Sequence, residues 1–232
     1  MKLLLCLDQL ADFKPLLDNI NDTGGQMLSP LPDNQSANFT LQLRYLQHEI
    51  DICETGLGSF QSAYKITKTL LQKRYHLAIK ASLGNAYNSD INIGDVVNVI
   101  KDKPGDAGNG SGMDYHDLYD LQLLNKDSFP HYKGGFINMN NSYMNVFMPY
   151  KKVVSVTVNQ YADSRSFQMR KDKYQADVET RDGLHFVYAC MYERQPFYQI
   201  VCVENNLSNQ TQDRTLSIQS LNNTLFDILQ KI

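Results

Sequence analysis

Gly56-Leu57-Gly58 stands between an apolar run and a helical pattern. Glycines at such a junction let backbone N–H groups approach an anion at a helix N-terminus, although a lone Gly-x-Gly also serves to close a tight turn. No Gly-x-x-x-x-Gly-Lys occurs, and the third glycine of a dinucleotide fingerprint is missing, so neither a phosphate loop nor a nicotinamide site is expected. Asp106, Asn109 and Asp114 lie in a Gly-rich stretch. Their spacing does not match the alternating ligands of a calcium loop and fits a solvated loop. His48-Glu49 lacks the second His of a zincin. His185, set among Phe186, Val187 and Tyr188, reads as a packed, hydrogen-bonded residue. No Gly-x-Ser-x-Gly marks a serine nucleophile. Cys6, Cys53, Cys190 and Cys202 form no close pair. Buried reduced thiols are expected of them, with no metal centre and no cofactor.

The elements that must carry these residues alternate. Leu3–Leu7 reads as a buried strand rather than a secretory leader, since Asp8 ends the apolar run. A short helix is predicted over Leu10–Ile20, and a polar surface excursion over Asn21 to Asn38. Strands follow at Phe39–Tyr45 and His48–Cys53, a helix at Phe60–Arg74, and strands at Leu77–Ala81 and Asp95–Ile100. Residues 102–140 read as a loop-rich insert. Val153–Val158 is a β-branched strand, Gly183–Arg194 a helix and Phe197–Val203 a strand. In the last helix Leu221, Leu225, Ile228, Leu229 and Ile232 share one face.

This order predicts one α/β domain over residues 1–232, with a central mixed, largely parallel sheet flanked by helices. Ligands of such sheets bind beyond the carboxyl ends of strands. That singles out Asp12, Gly56–Gly58, Ser82–Ala86, Asn159, Asp182 and Glu204–Asn206. With 42% hydrophobic residues among 232, the chain has ample material for a core. A formal charge of −3 gives no electrostatic reason to bind nucleic acid or an anionic membrane. No run is long and apolar enough to span a bilayer, and a cytoplasmic setting is expected.

Several segments, in order, resemble the nucleoside phosphorylase and nucleosidase superfamily. Met1–Leu5 through Asp12 is similar to its opening strand and first loop. Glu54-Thr55-Gly56-Leu57-Gly58 is similar to its Thr-Gly-Ile-Gly segment, Ala81–Ala86 takes the place of its Gly-x-Ala-Gly-Ser stretch, and Gly94-Asp95-Val96-Val97 resembles its Gly-Asp-Val-Val strand. Finer features resemble the futalosine hydrolase branch. These are Gly105–Gly108, Thr157-Val158-Asn159, and Asp177-Val178-Glu179-Thr180 followed by Gly183 and Phe186-Val187-Tyr188, set against that branch's Asp-Val-Glu-Ser-Met-Glu-Gly-Ala-Ala-Phe helix. The resemblance implies cleavage of an N-ribosidic bond through an oxocarbenium-like sugar, with a carboxylate activating water.

By that resemblance Asp12 falls at the water-activating glutamate, one methylene shorter. Asn205 falls where methylthioadenosine-type nucleosidases place a purine acid; it can hydrogen-bond a base edge but cannot ionise. Gly56, Gly58, Gly84, Asn85, Arg181 and Asp182 are the implied substrate contacts, with Arg181-Asp182 replacing the Met-Glu pair that grips ribose. Three functions stay open: a futalosine hydrolase-like nucleosidase serving menaquinone biosynthesis, a nucleosidase or phosphorylase of other specificity, and a catalytically impaired nucleoside-binding paralogue. The resemblance also implies a purine nucleoside as ligand and a homo-oligomer of dimer size or larger.

Overall fold

The computed structural model describes all residues except 30–39, Leu57, Asn141 and Ala162, and omits the side chains of Ser164 and Arg165. The excursion at 21–38 and the strand start at Phe39 therefore lie partly outside the described residues. In chain order the strands are β1 (Lys2–Leu7), β2 (Gln26–Met27), β3 (Thr40–Tyr45), β4 (His48–Glu54), β5 (Leu77–Ala86), β6 (Val96–Pro104), β7 (Gly108–Asn109), β8 (His116–Asp117), β9 (Phe136–Ile137), β10 (Lys151–Thr157), β11 (Val178–Thr180), β12 (Phe197–Asn206) and β13 (Thr211–Gln212). The helices are α1 (Lys14–Asp22), α2 (Ser59–Gln72), α3 (Met144–Phe147), α4 (Ser164–Tyr174), α5 (Gly183–Tyr192) and α6 (Arg214–Lys231).

The sheet is mixed. β1, β4, β5 and β12 run parallel, as do β6, β10 and β11. The junctions β12–β6 and β5–β11 are antiparallel. Because the ten-residue β5 pairs with β12 along one edge and with β1 and then β11 along the other, β12, β6, β10, β11 and β5 close into a ring.

Alternation along β1 divides the core. Leu3, Leu5 and Leu7 pack with Leu16 and Ile20 of α1 and Leu221, Leu225, Ile228 and Leu229 of α6. Leu4 and Cys6 face Ile66 and Leu70 of α2 and Phe186 and Cys190 of α5. Each such leucine, fully buried, contributes roughly 1.5–3 kcal/mol. All four cysteines are buried and free.

Several element boundaries differ from the sequence reading. The predicted first helix is a 3-10 turn over Leu10–Phe13 followed by α1, with Pro15 in the first turn, where its missing N–H costs nothing. β6 runs on to Pro104, into the predicted insert, which also holds the β7–β8 hairpin and β9. α4 was not expected. Segment 178–180, set by resemblance against a helix, is the strand β11; α5 begins at Gly183 as expected and ends at Tyr192.

Candidate active site

The carboxyl ends of β1, β4, β11 and β12 open on a small inner cavity of about 40 Å³. Asp8 and Asp12 follow β1, Gly58 follows β4, Arg181 and Asp182 follow β11, Glu204 lies near the end of β12, and Arg214 opens α6. A larger cavity of about 440 Å³ adjoins it, lined by Asn85, Asn205, Leu207 and Gln212. Tyr161, Glu204 and Arg214 line both.

The inner cavity is built around a buried lysine. Lys80 sits mid-strand on β5 with its side chain 0% exposed. β11 runs antiparallel to β5, so the chain leaving Thr180 descends beside β5 and delivers Asp182 to Lys80. Lys80 Nζ lies 2.7 Å from Asp182 Oδ2 and pairs directly with Asp8 Oδ1. It also donates to Thr55 Oγ1 at 3.2 Å. Thr55 Oγ1 and Ser62 Oγ each lie 3.3 Å from Asp182 Oδ2. Gly56 fixes the approach of Asp8: its N–H donates to the Asp8 carbonyl at 2.9 Å from a left-handed backbone, φ +78°.

Two carboxylates thus share one ammonium in a dry setting, and the charges answer accordingly. Burial, reinforced by the negative charge of Asp182, raises the Asp8 carboxyl to about 7 despite Lys80. Burial alone would lower the Lys80 ammonium. Asp182 and Asp8 outweigh it and hold Lys80 above its ordinary value, so it is charged at any working pH.

Asp12 has a different environment. The Asn222 amide of α6 donates to the Asp12 carbonyl at 2.9 Å, and its oxygen accepts from Leu16 N at 3.0 Å, which holds the 3-10 turn against α6. The Asp12 carboxylate accepts from Arg214 Nη2 at 2.6 Å, and Glu204 accepts from Arg214 Nη1 at 2.7 Å. Asp213 caps α6 by accepting from Leu216 N at 2.9 Å, which leaves Arg214 as the first helical residue. A cation there is opposed by the helix dipole; the two carboxylates offset that. The Arg214 side chain is 50% exposed, so this pairing is partly solvated.

Arg181 lines the inner cavity, its guanidinium carbon 4.1 Å from the Tyr161 ring centroid. Its Nε has no hydrogen-bond partner among the described residues. Asn85 is turned inward, donating to the fully buried Glu179 at 2.9 Å while bordering the larger cavity. Glu179 also accepts from Arg170 Nη1 at 3.0 Å and from Tyr87 Oη. A Cβ at Gly84 would come within 2.7 Å of the Glu179 carbonyl, so that glycine permits strand packing. His185 borders the outer groove of α2, and burial lowers its imidazole below the ordinary value.

A second buried carboxyl lies under the start of α5. Asp102, 0% exposed, accepts from Thr157 Oγ1 at 3.1 Å and Gln199 Nε2 at 3.2 Å. Burial raises it to about 7, against the pull of those hydrogen bonds. Gly183 rests on this group, and a Cβ there would meet Asp102 Oδ2 at 2.7 Å.

Of the residues singled out in the sequence, the structure gathers Asp12, Gly58, Arg181 and Asp182 around one cavity. Asn85 and Asn205 border the neighbouring one, Gly56 acts through Asp8, and Gly84 is buried in β5. Asp8, Lys80, Thr55, Ser62, Tyr161 and Arg214 were not anticipated. Lys80 alone carried a signal, as a charge inside a run otherwise read as buried strand.

No family model matches the chain, and no curated protein does. Solved structures do. A nucleosidase of Campylobacter jejuni acting on 5'-methylthioadenosine and S-adenosyl homocysteine superposes with a TM-score of 0.80 at 14% identity, covering 100% of both chains. Native futalosine hydrolase of Helicobacter pylori gives 0.79 at 12% identity over 100% of this chain and 98% of that one. The S-adenosylhomocysteine nucleosidase of Streptococcus pyogenes, solved with 5-methylthiotubericidin, gives 0.75 at 13%, covering 100% and 97%. The chain has the α/β fold that these nucleosidases share, as the sequence resemblance implied.

Proposed function

We propose that this protein is a purine nucleosidase that breaks an N-ribosidic bond with water. The observation that carries this reading is the convergence of Asp8, Asp12 and Asp182 on one cavity at the carboxyl ends of parallel strands, in a chain with the nucleosidase fold. Cleavage builds positive charge on the sugar, and a cavity edged by carboxylates favours that charge. Asp182, fixed by Lys80, Thr55 and Ser62, accepts from ribose hydroxyls. The base lies in the larger cavity, where the amides of Asn205 and Gln212 meet its edge. That cavity is of the size ligand sites take, roughly 300–1,000 Å³, and the ribose enters from it toward the smaller inner cavity of about 40 Å³, where Asp182 lies. The attacking water is activated by an inner carboxylate. Futalosine is the favoured substrate, through the finer sequence resemblance, which would place the enzyme in menaquinone biosynthesis within the cytoplasm.

A second reading, an impaired nucleoside-binding protein, draws on two contacts: Arg181 covers the face of Tyr161, and Arg214 holds Asp12. The homo-oligomer proposed with the nucleosidase reading would pair through the outer face of α2, where Phe60, Tyr64 and Leu71 are exposed along an apolar groove reaching His185. The deciding experiment incubates the protein with futalosine, methylthioadenosine and inosine, with and without phosphate, and measures free base. Hypoxanthine from futalosine without phosphate supports the hydrolase; no base from any of the three at high enzyme concentration supports the binding protein.

A further inference from the structure

We propose that Asp8, held by Lys80 against Asp182, is the residue that activates water, and that Asp12 instead positions Arg214. The proposal rests on the nucleosidase reading and names the base within it. Both aspartates border the inner cavity. They differ in what holds them. The Asp12 carboxylate is taken up by a guanidinium that cannot deprotonate, at 2.6 Å, in a partly solvated pairing. A carboxylate so held is not free to turn toward water.

Asp8 is held by an ammonium that must also serve Asp182. Arg214 too is shared, by Asp12 and Glu204, but it is 50% exposed. Around the fully buried Lys80 the surplus negative charge of two carboxylates on one cation is not screened by water, and that favours taking up a proton. Asp8 is the member through which the proton arrives: its side chain is 18% exposed against 3% for Asp182. Lys80 further places Asp8 beside the carboxylate proposed to hold the ribose, so the water and the sugar are gripped from one point. The other charged groups edging the cavity are Asp12, Glu204, Arg181 and Arg214, of which Arg214 pairs with Asp12 and Glu204.

The step balances without a co-reactant. Water bonds through oxygen to the anomeric carbon as Asp8 takes its proton. The carbon–nitrogen bond breaks with its electron pair on the base, which gains a proton from solvent. Asp8 then releases its own proton to solvent, leaving a free sugar hydroxyl and a free purine.

The test compares wild type, D8N and D12N for base release from futalosine, methylthioadenosine and inosine, together with the wild-type pH profile. A general base contributes about 100- to 10,000-fold. Asp8→Asn is expected to lower kcat at least about 100-fold with KM within a few-fold, and Asp12→Asn to lower it less than about 10-fold. The wild-type kcat/KM is expected to rise to a plateau with a midpoint near pH 7, as the carboxyl raised to about 7 requires; this holds even if a variant fails to fold. An active wild type with an active D8N and a dead D12N, or with a midpoint below pH 5, would overturn the assignment while leaving the nucleosidase reading intact. A wild type that releases no base from any substrate would overturn both.

Discussion

Replacing Lys80 by Met removes the cation on which the inner cavity is built while keeping nearly the same volume. In the native chain Lys80 is fully buried and satisfies Asp182, 3% exposed, and Asp8, 18% exposed. Breaking a buried pair by deleting one partner costs about 3–5 kcal/mol, because the remaining charge is stranded. Here two carboxylates are stranded facing each other, so the upper end of that range applies at pH 8. The loss is a large part of a typical stability of about 5–15 kcal/mol. The sign of its pH dependence follows. Lys80 lies above its ordinary value and stays charged through pH 5–8, so the carboxylates alone set the slope. Asp8 is raised to about 7; without Lys80 it moves higher still. The folded variant therefore binds more protons than its unfolded chain across this window, and its stability falls as pH rises. At pH 5 a protonated Asp8 can donate to Asp182, and the deficit shrinks. Urea unfolding of both proteins at pH 5 and pH 8 measures this. A variant as stable as wild type at pH 8, or with a deficit no smaller at pH 5, would refute the shared-cation account.

Asp102 offers a gentler test of the same physics. Its carboxyl, raised to about 7 by burial, makes wild-type stability decline between about pH 4 and pH 7. Asp102→Asn removes that contribution to the slope and leaves the one from Asp8. The introduced amide also supplies a donor for Gln199 Oε1, which lacks one among the described residues, so the variant is expected to match or exceed wild type at pH 8 in urea unfolding. Arg181→Met gives up a cation–π contact of about 0.5–2 kcal/mol and uncovers Tyr161. Calorimetric titration with inosine should then show binding at least about 3-fold tighter than wild type if Arg181 obstructs the cleft; weaker binding would make Arg181 a ligand contact. Light scattering should find wild type heavier than the 26.5 kDa chain. Phe60→Glu with Leu71→Glu should return it to a monomer, and a monomeric wild type would remove α2 as an interface.

The fold was legible wherever burial follows a simple period. β1 reads directly from Leu3–Leu7, because both its faces are covered by helices and every position from Leu3 on is buried. α6 reads from Leu221, Leu225, Ile228 and Leu229, because one helical stripe faces the core. α4 did not, because Ser164–Tyr174 is mostly polar and packs by few side chains, among them Met169 and Tyr174. β11 escaped because three residues, one of them the buried Glu179, carry no period at all. The site divided in the same way. Asp12, Arg181 and Asp182 were reachable from their place after predicted strands and from family resemblance. Lys80 was not, since its partners come from 72 residues upstream and 102 residues downstream, and no local pattern reports such a meeting.

The departures from the nucleosidase pattern cease to look independent once these contacts are drawn together. Asp12, which the resemblance sets against a longer glutamate, is held by Arg214. Asp182, which the resemblance sets against the ribose-gripping glutamate, is also shorter, and Lys80, Thr55 and Ser62 all reach its Oδ2. Arg181 brings a charge to an apolar position, and the Tyr161 ring receives it. Decay of an unused site would leave unpaired charges, which in a cavity this small are costly. Instead nearly every charged group around it has a partner of opposite sign or an aromatic face. The pairing of these charges fits the proposed enzyme better than the impaired binding protein. The same arrangement leaves Asp8, whose proton affinity is tuned to neutral pH, as the carboxylate best suited to activate water.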